Sequence, residues 1–527
     1  MVKTMNPSSK VQKIIYKTKN NLVIKGTLIL IITGLLTRIL GFYNRIFLSD
    51  LIGAKELGIY QLIFPLYMVV FSFSVYGNEL ALTKLVAQYE HKKTSTNIFF
   101  YICFFHCLFC SITCSYVLYT YSHWISLHIL NAPECDKCLQ IISFGIPFMA
   151  MKGSIHGYFL GRKISVVHGL SDLIEQITKI FSLYILSGFI CVRTQYPASF
   201  AVWGIVFGEI ISFLYSFICF INYQRKHKSP ETNPKQNKNH ILKAIAIFNK
   251  QAIPMTTNRC SITMVQSIES ILIPTVLLSY YHDSTICLSV YGILTGISFP
   301  FIMFPSTITN ALSTMLMPAV SSASGENDRT YLKILVENSI HFCLLIGLFS
   351  GLVFYIFGKD IGLLLFQNKE SGIYLYQLSL LCPFIYLSTN MASILNGLGF
   401  ATINLIQTLC ASFIRIMFII ICIPKIGIMG YVLGLFISYL FLTYACLFRL
   451  SKYIDFKIYF INSIFKPACV FIITGSFMFY IYKKSITAFT LTGMHTVILL
   501  IFILFIYCLF TICPMILSTY RGLQRHR

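Results

Sequence analysis

Acidic residues are scarce in this chain: 18 Asp and Glu stand among 527 residues, against 41 Lys and Arg, and charged residues of both signs make up only 11%. So thin a charged surface excludes a string of soluble domains, which normally carry about a quarter charged residues. Also missing are a phosphate-binding glycine loop, a metal-ligand helix motif and a nucleophile elbow, so no catalytic residue, cofactor or metal is expected. What remains is apolar: 56% hydrophobic residues and a mean hydropathy of +0.74 predict an all-α polytopic membrane protein.

About fourteen membrane spans fit the hydrophobic pattern. With both termini and every second loop on one side, that side holds 27 Lys and Arg, the other holds 8, and 6 lie within spans. By the positive-inside rule both termini are cytoplasmic, in a multi-pass protein of the cytoplasmic membrane. The net charge of +23 is then topological, and nucleic acid is not an expected partner. Residues 1–25 carry six Lys and no apolar run, and the span after them lacks a small-residue cleavage site, so it is expected to be retained. Most of the 18 Cys fall within spans and imply no disulfide framework. Cys135 and Cys138 are expected as surface thiols of an external loop, with a local disulfide between them as the other reading.

Shifted by about 236 residues, the two halves match in order. Pro147-Phe148 meets Pro383-Phe384, Gly161 meets Gly397 and Lys179 meets Arg415; at a shift of 226, Gly204, Gly208 and Ser212 meet Gly430, Gly434 and Ser438. A repeat of six spans predicts two lobes in tandem, at 26–222 and 250–449. A basic cytosolic linker joins them at 223–249, spans thirteen and fourteen follow within 450–514, and a basic tail closes the chain at 515–527. The small residues of spans six and twelve are expected to let helices approach within each lobe. Pro65, Pro300 and Pro305 predict helix breaks, read equally as packing kinks or gating bends.

Charges within the membrane are the candidate site. Arg38 and Arg45 lie seven residues apart, within about 20° on a helix, and Arg38 falls about 18 Å into a layer about 30 Å thick. A lipid-facing Arg at that depth costs about 2.5 to 3.5 kcal/mol, so Arg38 should face a polar interior, whereas Arg45 is read either as a ligand or as an anchor to outer headgroups. Lys179, Arg259 and Arg415 add cations from other spans. Arg38, Lys179, Arg259 and Arg415, four like charges on different helices, call for intervening acids or an anionic ligand, and Arg suits phosphate because its planar fork offers paired donors. His168, Asp172, Glu175 and Lys179 form one stripe of span five, read either as a self-neutralising Glu175–Lys179 face or as the lining of a hydrated cavity. Asp172, Glu175, Glu269 and Glu79 are the candidate ion-coupling or cavity acids; Lys152, His156 and Glu209 have no sequence neighbour that assigns them a role.

Several runs resemble a known family: TRILGFYNRIFLSDLIGAKELGIYQLIFP, SIESILIP in span seven, FPSTITNALSTMLMPAVS in span eight, ILNGLG after span ten and PKIGIMGYVLG. They look like the polysaccharide-biosynthesis transporters of the stage V sporulation protein B type, a superfamily shared with lipid II flippases and multidrug extruders. The resemblance implies an alternating-access flippase of an undecaprenyl-linked saccharide, a peptidoglycan or other cell-wall precursor, with membrane lipids and a coupling ion as partners. By it, Arg38 matches an arginine of the lipid II flippases, Arg45 is offset by one from their second, where Asn44 stands, a third falls near Val69, and Glu269 replaces a common Asp. The alternatives are a cation-coupled multidrug exporter using the acids of span five, and a non-transporting scaffold for envelope synthesis.

Overall fold

The computed structural model describes residues 7–89, 96–190, 197–226, 238–325, 328–457 and 461–489, with isolated positions up to 506. Of the linker expected at 223–249, residues 227–237 lie outside the described residues, as do nearly all of span fourteen near 491–514 and the tail at 515–527, while the linker's two ends continue the flanking helices. Among the described residues there is no strand. Eleven helices are long and apolar enough to cross a membrane, one of them, Ile32–Tyr89, covering 58 residues and thus two of the expected spans. α3 (Asn97–Thr120) shows the outward chemistry: Phe105, Phe109, Ile112 and Tyr116, spaced four, three and four, are 52–72% exposed on one face. Such a row suits lipid rather than water.

Two compact units divide the chain, one taking Met1–Asn44 and Leu62–Ser267, the other Arg45–Gln61 and Ile268–Arg527. The division crosses α1 (Pro7–Phe71) twice. α1 breaks at Gly53, whose φ of 77° and ψ of 175° suit a residue without a Cβ, and this break separates the first two expected spans.

In the first unit α1 runs through a π-helical turn at Ser72–Tyr76 into α2 (Gly77–Tyr89), followed by α3, α4 (Cys135–Gly161), α5 (Val166–Ile190), α6 (Pro197–Lys226) and the first part of α7 (Lys238–Tyr281). Cys135 and Cys138 are not surface thiols. They open α4 and are 0% and 1% exposed, because Pro133 and Asp136 start the helix one turn earlier than the loop reading allowed. Gly208 of α6 sits so close to α5 that a Cβ there would lie 3.0 Å from Lys179 Cγ.

The second unit comprises α8 (Ser284–Gly292), a π-helical turn at Ile293–Ser298, α9 (Phe299–Met303), α10 (Ser306–Gly325), α11 (Arg329–Phe366), α12 (Lys369–Leu378), α13 (Cys382–Gly397), α14 (Ala401–Ile426), α15 (Met429–Ser451) and α16 (Lys466–Phe489). Its core joins Val336, Ile340 and Cys343 of α11 to Met391 and Ile394 of α13 and to Cys446 and Leu450 of α15. Gly434 stands against α14, where a Cβ would meet Phe418 Cβ at 2.7 Å. The small residues of spans six and twelve therefore do the same work in each unit, bringing α6 onto α5 and α15 onto α14.

A close backbone approach in this unit pairs Gly58, in the segment after the α1 break, with Gly292 of α8. A Cβ on Gly58 would lie 2.0 Å from the Leu288 carbonyl oxygen, and one on Gly292 2.5 Å from Gly58 N. Backbone cannot yield as a side-chain tip can, so Gly58→Ala and Gly292→Ala should each cost about 1–3 kcal/mol or more. Gly34→Ala, with nothing within 4 Å, should be neutral or stabilising. Thermal unfolding in detergent, followed by size-exclusion recovery of monodisperse protein, checks the contrast.

Candidate functional site

The polar heart of the first unit is a chain of ion pairs through three helices. Lys152 of α4 projects its ammonium between two carboxylates, at 2.6 Å from Glu175 Oε2 of α5 and 2.6 Å from Glu209 Oε2 of α6. Lys179, one turn beyond Glu175 on α5, donates to the other Glu175 oxygen. Tyr67 donates its hydroxyl to Glu209 Oε1 at 2.9 Å, so both oxygens of both glutamates are engaged. Lys152 and Glu209 are only 7% and 5% exposed. Two cations and two anions sum to zero, which is the condition for such a cluster to persist away from water.

Asp172, one turn before Glu175 on the stripe, does not join this cluster. Its side chain keeps 41% exposure, and its Oδ2 lies 4.0 Å from His168 Nε2. His168 in turn meets His156 of α4, ring nitrogen to ring nitrogen. Glu79 of α2 is half-buried against Gly157 and within electrostatic reach of Asp172 and Lys152, with no ion pair among the described residues.

Two arginines of this unit differ from the lysines. Arg38 is exposed on α1. Arg259, on the part of α7 that belongs here, lays its guanidinium over the Tyr76 ring at 4.7 Å, and its buried Nε has no hydrogen-bond partner. No carboxylate pairs with Arg259 among the described residues. The π-helical turn at Ser72–Tyr76 puts Tyr76 under it, and the same turn is tied to α7 by a Ser72–Thr263 hydroxyl contact of 2.9 Å.

In the second unit Arg415 of α14 is neutralised. Its Nε donates to Glu269 Oε1 at 2.7 Å, its Nη2 to Ser412 Oγ at 2.9 Å, and Tyr431 donates to the same Glu269 oxygen at 3.2 Å. Arg45 has a structural acceptor, for its Nη1 donates to the Gly296 carbonyl at 3.2 Å. Pro300 stands four residues after Gly296 and has no N–H to return, so Arg45 supplies the donor that the helix cannot. Thus Lys179 and Arg415, expected as anion ligands, already hold glutamates, and Glu175 and Glu269, expected as coupling acids, hold cations.

Residues 23–324, more than half of the chain, match the family described as polysaccharide biosynthesis protein. The chain belongs to that family. Residues 260–421 also match the MatE family. Stage V sporulation protein B of Bacillus subtilis (strain 168) is 25% identical over 457 residues, covering 82% of this chain and 85% of that one. Among solved structures, the lipid II flippase MurJ in an inward closed conformation superposes with a TM-score of 0.66 at 18% identity, covering 94% of this chain and 99% of that one. An inward-facing multidrug resistance MATE family transporter of the MOP superfamily gives 0.59 at 13%, covering 79% and 95%. This member of the polysaccharide biosynthesis protein family is therefore a multi-pass membrane protein with a MurJ- and MATE-like transporter fold.

Sequence reasoning missed Lys152, Glu209 and His156 as members of the polar heart. The one available signal was the four-residue spacing of Lys152 and His156, which puts both on one face of α4. Lys152→Ala would leave two buried glutamates with one cation and should cost about 3–5 kcal/mol. The pair Lys152→Met with Glu209→Gln removes one charge of each sign and should cost clearly less than Lys152→Met alone. A double-mutant cycle on thermal unfolding of the detergent-solubilised protein measures both.

Proposed function

We propose that the protein is an alternating-access flippase that carries an undecaprenyl-linked saccharide, a peptidoglycan or other cell-wall precursor, across the cytoplasmic membrane. It is a fourteen-span protein of two tandem lobes with both termini cytoplasmic, and no catalysis is involved. The observation that carries this reading is Arg259. A half-buried guanidinium that rests on a tyrosine ring and has no carboxylate partner among the described residues presents its donors to an anion, and a pyrophosphate matches the fork with paired acceptors. Arg38, exposed on α1 of the same unit, is the second proposed contact. Lys179 and Arg415 are assigned to holding Glu175 and Glu269 in place, and Arg45 to the break before Pro300. Similarity to Stage V sporulation protein B supports sporulation as the setting.

A second reading, a cation-coupled exporter of small amphipathic drugs, draws on the MatE match and on Glu79, an acid without an ion pair among the described residues. The two readings want opposite ligands. A flippase binds anionic lipid pyrophosphate through Arg259, whereas a drug exporter binds cations through Glu79.

In vesicles reconstituted with the full chain, translocation of lipid II or an undecaprenyl pyrophosphate saccharide should fall at least tenfold in Arg259→Ala and Arg38→Ala, with Arg259→Lys intermediate. Gly34→Ala should flip at the parent rate. Wild-type rates in both arginine variants sink the assignment. Efflux of a cationic dye abolished by Glu79→Gln, with no lipid translocation, would establish the second reading instead.

A further inference from the structure

The first unit places three potential metal ligands together outside the ion-pair chain. His156 of α4 and His168 and Asp172 of α5 each present a ligand atom, and these atoms all lie within 4.8 Å of one another. The two Nδ1 atoms face each other at 2.8 Å, so at most one of them carries a hydrogen there and at least one lone pair points into the shared space. His168 and Asp172 are one helical turn apart, the spacing by which a helix offers two ligands from one face.

Two further features set this group apart from a chance meeting of polar side chains. His156 is 3% exposed, and its other ring nitrogen, Nε2, lies 3.4 Å from Ser216 Oγ, which itself donates to Ser171 Oγ at 3.0 Å. An outer hydrogen bond of that kind fixes the ring and leaves Nδ1 as the ligating atom. The charge also balances. Lys152, Lys179, Glu175 and Glu209 cancel among themselves, so a dication here would be matched by Asp172 and by Glu79, which makes no ion pair among the described residues and lies within electrostatic reach of Asp172.

We propose that His156, His168 and Asp172 form a binding site for a first-row divalent cation, with Zn²⁺ the best match to two imidazoles and one carboxylate. Around a tetrahedral Zn²⁺ with bonds of about 2.0–2.1 Å the two nitrogens stand about 3.3 Å apart, so loading spreads the histidines slightly and draws Asp172 inward. The half-exposed Asp172 side leaves room for water as fourth ligand. The ion would clamp α4 to α5 beside the short turn that joins them, and the proposal is independent of the transport reading.

The test uses the purified full chain in detergent. After loading with Zn²⁺ and exhaustive dialysis, elemental analysis should find one more Zn²⁺ per chain in the parent than in His168→Gln. Zn²⁺ affinity should fall at least 100-fold in that variant, and Zn²⁺ should raise the thermal midpoint of the parent but not of the variant. Co²⁺ should give visible d–d bands without the thiolate charge-transfer band expected if one of the 18 Cys were the ligand. Asp172→Asn, at a partly exposed position that no ion-pair chain depends on, provides the same comparison if His168→Gln fails to fold. Equal metal content in parent and variants, or a thiolate band, overturns the proposal.

Discussion

The ammonium of Lys152 between Glu175 and Glu209 is the constraint on which the first unit depends. It ties α4, α5 and α6 at one point with two contacts of 2.6 Å, and it works only because each partner is itself saturated, Glu175 by Lys179 and Glu209 by Tyr67. Removing any one member exposes the rest to a low-dielectric surrounding, where the cost of an unmatched charge is several kcal/mol. That interdependence explains why so acid-poor a chain concentrates acids here. Of its 18 acidic residues, Glu79, Asp172, Glu175 and Glu209 all lie on helices of this one unit.

The repeat expected from the sequence bears on the same cluster. Lys179 and Arg415, which that expected repeat pairs, are each neutralised by a glutamate, but from different sources. Lys179 uses the residue four before it on its own helix, while Arg415 reaches Glu269 on α7. Gly208 and Gly434 then admit the neighbouring helix beside each cation's turn. One geometric problem, a cation in a helix pair that must close tightly, has two electrostatic solutions. Such divergence fits a repeat whose register survives in small residues and prolines better than in charges.

Much of this was legible in the sequence and some was not, for identifiable reasons. Helical class and the close-packing glycines follow from hydrophobic period and residue size, which are local. The Glu175–Lys179 pair follows from a four-residue spacing, also local. Lys152 with Glu209 required knowing that α4 packs directly against α6, and no spacing along the chain encodes that. Cys135 and Cys138 were misjudged because the loop's polarity concealed a helix start that buries both. Arg45 could not be assigned because its partner is a backbone carbonyl, and carbonyls carry no sequence signature; only Pro300, four residues beyond Gly296, marks where one goes without its usual donor.

Sorting the intramembrane cations by what holds them separates structure from function more sharply than depth does. Arg415 has a carboxylate and two hydroxyls on its guanidinium, Lys179 has a carboxylate, and Arg45 has a carbonyl. An arginine so satisfied gains little from a passing anion, because binding would first have to break a buried pair. Among the described residues Arg259 has the face of Tyr76, an attraction worth about 0.5 to 2 kcal/mol that leaves the in-plane donors uncommitted. A ligand that leaves again at the end of each cycle needs such a site, with one stable resting contact that does not compete for the donors. On the proposed function, the π-helical turn that brings Tyr76 beneath Arg259 would belong to the site, because it holds the ring on which the guanidinium rests.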